Sequence, residues 1–253
     1  MGHIITIHSF RGGTGKSNVC ANLAAVLARA GKRVAIIDTD VQSPGVHLLF
    51  GFEPGELNLT LNDYLKETCS IQECAYDASA RIPVETGKVF VVPSSLQYLE
   101  IARILKSGFD LDLMLDGFRQ AIDRLALDFL IVDTHPGLKE ETMLFTVMSH
   151  LLLVLLRPDQ QDYLGTGVVV EVARRLGVPK IGLVVNKLLP TYDPRTVRER
   201  MNAAYGCEVL EILPLDHGVL ELESGCVTVI RRPELPFSQA MVRLGDRVLA
   251  QLK

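Results

Sequence analysis

Phe10-Arg11-Gly12-Gly13-Thr14-Gly15-Lys16-Ser17 joins the apolar run Ile4-Ile5-Thr6-Ile7 to a small-residue helical pattern that begins at Ser17. Gly12, Gly13 and Gly15 leave no Cβ in the way, so successive backbone N–H groups can curl around an anion, and the helix N-terminus adds the positive end of its dipole. Lys16 supplies a fixed charge for the β- and γ-phosphates, and Ser17 supplies a hydroxyl ligand for Mg2+. Thr14 lies inside the loop and Asn18 follows on the first helical turn, so both belong with the residues expected around the nucleotide. The stretch reads as a phosphate-binding loop between a strand and a helix. It departs from the common spacing at one place: Phe10 stands five residues before Gly15 where a glycine is usual, and a basic residue, Arg11, directly precedes the glycine pair.

Working outward, the 253 residues are 48% hydrophobic, which fits one large α/β domain over 1–253 with an ample core. A net charge of −4 gives no bulk reason to expect nucleic-acid binding and leaves only a local basic patch. Cys20, Cys69, Cys74, Cys207 and Cys226 form no C-x-x-C or C-x-C pair, and their odd number argues for reduced thiols and a cytoplasmic setting. No stretch approaches the roughly 18 apolar residues of a membrane-spanning helix, and no cleavable signal precedes the first strand. Met1-Gly2 with Thr6 matches the myristoylation pattern formally, but that segment reads as a central strand and the match reads as coincidence.

Short β-rich runs alternate with helical patterns, the mark of a doubly wound, mostly parallel sheet with helices on both faces. Strands are expected near 4–8, 33–37, 88–92, 128–132, 150–156, 179–185 and 207–212. Helices are expected at 17–30, 60–67, 111–126, 138–148, 162–176, 195–204 and 236–252, with Gly31 and Gly177 ending the first and fifth. The segment 68–87 has the weakest periodicity and is read as a surface excursion, a short helix and a hairpin turning at Thr86-Gly87.

Sheets of this kind bind ligands at the carboxyl ends of their strands, so the residues just after each run carry the chemistry. Asp38-Thr39-Asp40 follows Val34-Ala35-Ile36-Ile37 and presents two carboxylates that strand alternation would aim the same way. One suits the Mg2+ shell and the other the orientation of an attacking water. Asp133-Thr134-His135-Pro136-Gly137 follows Phe129-Leu130-Ile131-Val132, Asn186 closes the run Val184-Val185, and Leu213-Pro214-Leu215-Asp216 closes the last strand. An asparagine amide donates and accepts at once, as the edge of adenine requires.

These motifs, in this order, resemble the MinD/ParA group of P-loop ATPases, whose deviant loop carries a lysine where this chain has Arg11. The resemblance covers nearly the whole chain, with Asp63-Tyr64, Val91-Val92-Pro93-Ser94-Ser95 and Arg157-Pro158-Asp159 at further matching places. It implies ATP and Mg2+ as cofactors, with Ser17, Asp38 and Asp133 on the metal side. Asp40 would orient the water, Gly137 would sense the γ-phosphate, and Asn186, Pro214 and Asp216 would surround the base. It also implies a slow ATPase stimulated by a protein partner, and an ATP-dependent homodimer in which Arg11 reaches the other subunit's phosphates. His135 stands where the group has a proline or small residue.

Two subfamily markers are missing. Phe237, Met241, Leu244, Val248 and Leu252 form an apolar stripe expected on a last core helix rather than on a membrane-surface helix, and the chain then stops at Lys253. No DNA-reading extension precedes the first strand. Arg174-Arg175, Arg195 with Arg198 and Arg200, and Arg231-Arg232 could still form a basic surface, so nucleoid DNA and membrane both stay open as partners. The competing class is a dethiobiotin-synthetase-like ligase or a nickel or iron–sulfur carrier. Carriers need paired thiolates, and Cys69-x4-Cys74 is the nearest approach.

Overall fold

Leu151-Leu152-Leu153-Val154-Leu155-Leu156 is apolar at every position because it is covered on both faces, and the same holds for the other central strands. The computed structural model describes residues 2–108, 110–223 and 225–253. Its strands are β1 (His3–His8), β2 (Arg33–Asp38), β3 (Tyr76–Asp77), β4 (Lys88–Val92), β5 (Phe129–Asp133), β6 (Leu151–Leu156), β7 (Ile181–Leu188) and β8 (Glu208–Pro214). They form one eight-stranded sheet in the order β3-β4-β2-β5-β1-β6-β7-β8. All pairings are parallel except β3 with β4, where Tyr76 faces Val91. The chain leaves β1 towards β2 and β4 on one side and later fills β6, β7 and β8 on the other. The carboxyl end of β1 is therefore the switch point where a crevice opens.

Alternate residues feed three cores, one on one face of the sheet and two on the other. Ile5, Ile7, Val34, Ile36, Leu153 and Leu155 pack under the helices Lys16–Arg29 and Pro236–Gln251. On the opposite face Ile4, Ala35 and Ile37 meet the helix Leu111–Arg124, while Leu152, Val154 and Leu156 meet Gln160–Arg175 and Pro194–Tyr205. The expected stripe Phe237, Met241, Leu244 and Val248 is buried in the first of these cores. The helix after the phosphate loop is therefore gripped along its length, which fixes its N-terminus at the crevice.

All seven expected strands form, several with longer ends. The excursion differs in detail. Residues 61–64 alone are helical in the stretch 60–67, residues 71–74 form turns rather than a helix, and β3 pairs antiparallel to β4. Gly87 is glycine for close approach, since a Cβ there would stand 2.0 Å from the Ala28 carbonyl oxygen. The helix Tyr98–Ser107 lacks any start signal: Gln97 at its N-cap makes no side-chain cap, and Tyr98 and Leu99 are exposed. Met1, which carries the formal lipidation match, lies outside the described residues, and Gly2 is packed against the Leu127 carbonyl. Among the described residues no helix is long and apolar enough to cross a membrane.

Two of the arginines considered for a basic surface are structural: Arg198 donates to the Val209 carbonyl, and Arg174 to the Tyr205 carbonyl and Cys207 Sγ. Arg247 likewise donates to the Leu210 carbonyl. Two of these guanidiniums cap carbonyls of the edge strand β8, which would otherwise offer an open edge to another chain. Buried Glu211 balances them: its carboxylate accepts from Arg243 Nε at 3.1 Å and lies 3.8 Å from Arg198. Glu211→Ala leaves those cations facing one another. Because both arginines are partly solvated, the expected loss is about 2 kcal/mol. A urea midpoint that falls clearly below the parent's, and less far for Glu211→Gln, is the outcome to look for.

Candidate functional site

A phosphate cradle needs N–H groups that point at the anion, and in a planar trans peptide that requires the preceding carbonyl to point away. Three side chains hold those carbonyls outward. Ser9 Oγ donates to the Arg11 carbonyl at 2.7 Å, Lys187 Nζ to the Gly13 carbonyl at 2.9 Å and Asn186 Nδ2 to the Thr14 carbonyl at 2.7 Å. The N–H groups of Gly12, Thr14 and Gly15 face the other way. Among the described residues, the N–H groups of residues 12–18 find no protein acceptor, and the first helical bond runs from Val19 to Gly15. Gly13 and Gly15 have φ of 75° and 94°, and a Cβ on Gly15 would stand 2.6 Å from Asn186 Nδ2. Both positions demand glycine. Lys16 is buried beneath the loop, and Gly12, Gly13, Gly15, Lys16, Ser17 and Asn18 line a cleft of about 860 Å³ with Asp40 and His135 across it.

Two buried carboxylates sit behind this cleft, at paired positions of β2 and β5, and they differ sharply. Asp38 accepts from the N–H groups of Asp40, Gly45 and Val46 at 3.1, 3.0 and 3.2 Å, so it shapes the loop that follows β2. Both oxygens of Asp133 are buried, with the Ser17 hydroxyl and the Cys20 thiol beside them but outside good hydrogen-bond geometry. Burial raises its pKa to about 6, with the nearby Ser17 hydroxyl and the Lys16 charge pulling it back down. A bare carboxylate beside a serine hydroxyl fits a hard divalent cation held directly or through water. Asp38 and Asp40, expected to be aimed alike, have different surroundings, since β2 ends at Asp38 and the chain turns. Asp40 lines the cleft and Asp38 does not.

His8, which sequence reasoning passed over, lies buried at the end of β1. The Thr134 hydroxyl donates to the Ile7 carbonyl, so it accepts from His8 Nδ1 at 2.8 Å, which places the proton on Nδ1. Burial, with Lys16 and His135 nearby, lowers the His8 pKa to about 3. The ring is neutral and adds no charge beside Lys16.

The base-side residues come together at the other end. Asn18, Asn186, Pro214 and Asp216 line a cavity of about 180 Å³ that shares Gly15 and Asn18 with the cleft. The Asn186 amide is already committed, to the Thr14 carbonyl and to Lys187 N–H. The Asp216 carboxylate caps Gly218 and Phe237 N–H groups. Gly137 has φ of 90° and donates its N–H to the Ser9 carbonyl at 3.2 Å. Arg11 stands apart from the cleft. Its guanidinium lies 3.8 Å from both Asp159 and Asp162 and is 40% exposed. Ser9 and Lys187 are the functional neighbours that the sequence did not single out, although Lys187 directly follows Asn186 at the strand end.

Comparison with known proteins bears on the family and the fold. A ParA family model, described as NUBPL iron-transfer P-loop NTPase, matches residues 1–249. An uncharacterised ATP-binding protein of Methanocaldococcus jannaschii is 28% identical, over 98% of this chain and 90% of that protein. An iron-sulfur cluster carrier protein of Aquifex aeolicus is 29% identical, over 99% of this chain and 68% of that protein. The septum site-determining protein MinD of Pyrococcus horikoshii, complexed with Mg-ADP, superposes with a TM-score of 0.82 at 24% identity, covering 99% and 98% of the two chains. That likeness establishes the shared fold. With a phosphate loop at the switch point of a doubly wound sheet and a family match along nearly its whole length, the chain belongs to the ParA family of P-loop NTPases.

Proposed function

We propose that the protein is a slow ATP-hydrolysing switch, which dimerises with ATP and uses that dimer to position or partition a cargo. The observation that carries this reading is the placement of Arg11. A cation belonging to the phosphate loop lies outside its own cradle, half-exposed, where a second subunit could meet it. Guanidinium is permanently charged and forked, so it can bridge phosphate oxygens of a facing subunit. Lys16 and the free N–H groups of residues 12–18 would bind the phosphates, and Ser17 and Asp133 are free to hold Mg2+. When bound, that cation would neutralise charge on the phosphates. Asp40 faces the cleft with one oxygen committed only to Ser43 N–H, and would orient the attacking water. Gly137 would report the γ-phosphate by exchanging its bond to Ser9. An activating protein partner, and a membrane or nucleoid surface, complete the reading.

Cluster delivery is the second reading, favoured by the names of the family and of the Aquifex relative. On this chain it rests on Cys69 and Cys74, whose sulfurs lie 3.3 Å apart. Among the described residues no three metal-ligating side chains gather. Reconstitution with iron and sulfide separates the two: a bound chromophore lost in Cys69→Ser with Cys74→Ser favours delivery, and ATP-dependent dimerisation without one favours the switch.

Lys16→Ala removes the fixed cation under the loop while the core stays intact, so ATP binding followed by calorimetry should vanish. Parent-like binding would remove the phosphate loop from the mechanism. Asp40→Ala should bind ATP and accumulate as a dimer with little hydrolysis. In that background Arg11→Ala should lose the dimer by light scattering, and a fully formed dimer would reduce Arg11 to a local loop charge. A further outcome concerns pH. Because the folded pKa of Asp133 is raised to about 6, the nucleotide-free fold binds more protons than the unfolded chain between about pH 4 and 6, and its stability falls as pH rises through that window. Asp133→Asn should therefore stabilise the nucleotide-free protein at pH 7, by up to about 3 kcal/mol. That gain should fade by about pH 4 in thermal melts, while Mg2+-dependent ATP binding weakens.

A further inference from the structure

Lys187 occupies a backbone conformation that lysine disfavours. Its φ is 58°, in the left-handed region, at a point where β7 breaks register with β8 between Val185 and Leu188. Asn186 Oδ1 accepts the Lys187 N–H at 2.8 Å and steadies the turn. Such a turn is served as well or better by glycine, so the turn itself gives no reason for a lysine. What the side chain does is cross to the phosphate loop, 174 residues away in sequence, and donate to the Gly13 carbonyl at 2.9 Å.

Gly13 is exposed, so water alone could satisfy that carbonyl, and the lysine is not needed to complete a buried hydrogen bond. Its effect is on orientation. Gly13 carries no Cβ and is itself left-handed, so its ψ turns easily and sterics on that side do not fix the Gly13–Thr14 peptide. A flip of that peptide would turn the Thr14 N–H out of the cradle and bring a carbonyl dipole towards the phosphates. The ammonium opposes the flip with a charge-assisted hydrogen bond.

We infer that Lys187 is a positioning residue that sets nucleotide affinity by locking the Gly13–Thr14 peptide in its anion-binding orientation. The inference rests on the reading of residues 12–18 as an ATP phosphate site. It predicts that affinity and stability move apart, which a merely structural lysine would not produce.

The test uses the full chain with Lys187→Met, Lys187→Gly and Lys187→Arg, each titrated with ATP and with ADP and each unfolded in urea without nucleotide. Lys187→Met and Lys187→Gly should weaken both nucleotides by about tenfold, the scale of one hydrogen bond to a charged group. Lys187→Arg, which can still donate to the carbonyl, should recover most of that loss. The urea midpoint of nucleotide-free Lys187→Gly should be no lower than the parent's, because glycine accepts the left-handed backbone. Parent-like affinity in Lys187→Met, or an affinity loss matched by an equal loss of stability, would overturn the assignment. A parent protein that bound no ATP would instead overturn the phosphate-site reading on which it rests.

Discussion

Everything at this site depends on the direction of a few peptide planes. An anion cradle made of backbone is only as good as the devices that keep its carbonyls turned away, since each peptide that flips exchanges an attractive N–H for a repulsive oxygen. Here three side chains supply the restraint from two strand ends: Ser9 from the end of β1, and Asn186 and Lys187 from the end of β7. β6 separates β1 from β7, so the loop is braced from its own strand and from the second strand along on one side. The sheet order is thus a functional fact, because it brings a strand end from late in the chain against a loop that begins at residue 10.

A second constraint is electrostatic. Asp38 and Asp133 are paired across adjacent strands, both buried, and burial raises both pKa values, with repulsion from Asp133 adding at Asp38 and repulsion from Asp40 adding at Asp133. The fold resolves this by giving the two acids different environments. Backbone N–H groups occupy the oxygens of Asp38, while those of Asp133 stay bare beside Ser17 and Lys16. His8 remains neutral next to Lys16 and so leaves the local charge to the lysine and the acids. One carboxylate organises the loop after β2, and the other keeps its oxygens uncommitted.

Most of the fold was legible because its signals are local. Seven strands read directly from compact apolar runs, and the glycine-rich loop with Lys16 and Ser17 is a short-range pattern. The misses have physical reasons. The helix Tyr98–Ser107 carries no cap and exposes its first apolar residues, so neither its start nor its buried face could be read. The pair Asp38 and Asp40 was read by strand alternation, which stopped applying once β2 ended at Asp38. Lys187 could not be read at all, because its role depends on a bulge and a left-handed φ that no local pattern announces.

Phe10 and Arg11, the two places where the loop departs from the usual pattern, have their explanation on one element. The Phe10 ring rests on Gly165 in the helix Gln160–Arg175, so closely that a Cβ on Gly165 would stand 2.1 Å from a ring carbon. Gly165 thus leaves the room that the Phe10 ring takes up where the loop usually has a glycine. Arg11 turns towards the same helix, where Asp159 is the N-cap and Asp162 lies one turn in, both 3.8 Å from its guanidinium. Buried Asp162 already accepts from Arg157 through one oxygen, and Arg11 is the cation that answers the other. The start of the phosphate loop is therefore tied by packing and by charge to the helix that follows β6. Any ligand that draws Arg11 away leaves a buried carboxylate oxygen without its counter-charge, so the position of that arginine is coupled energetically to the helix N-terminus.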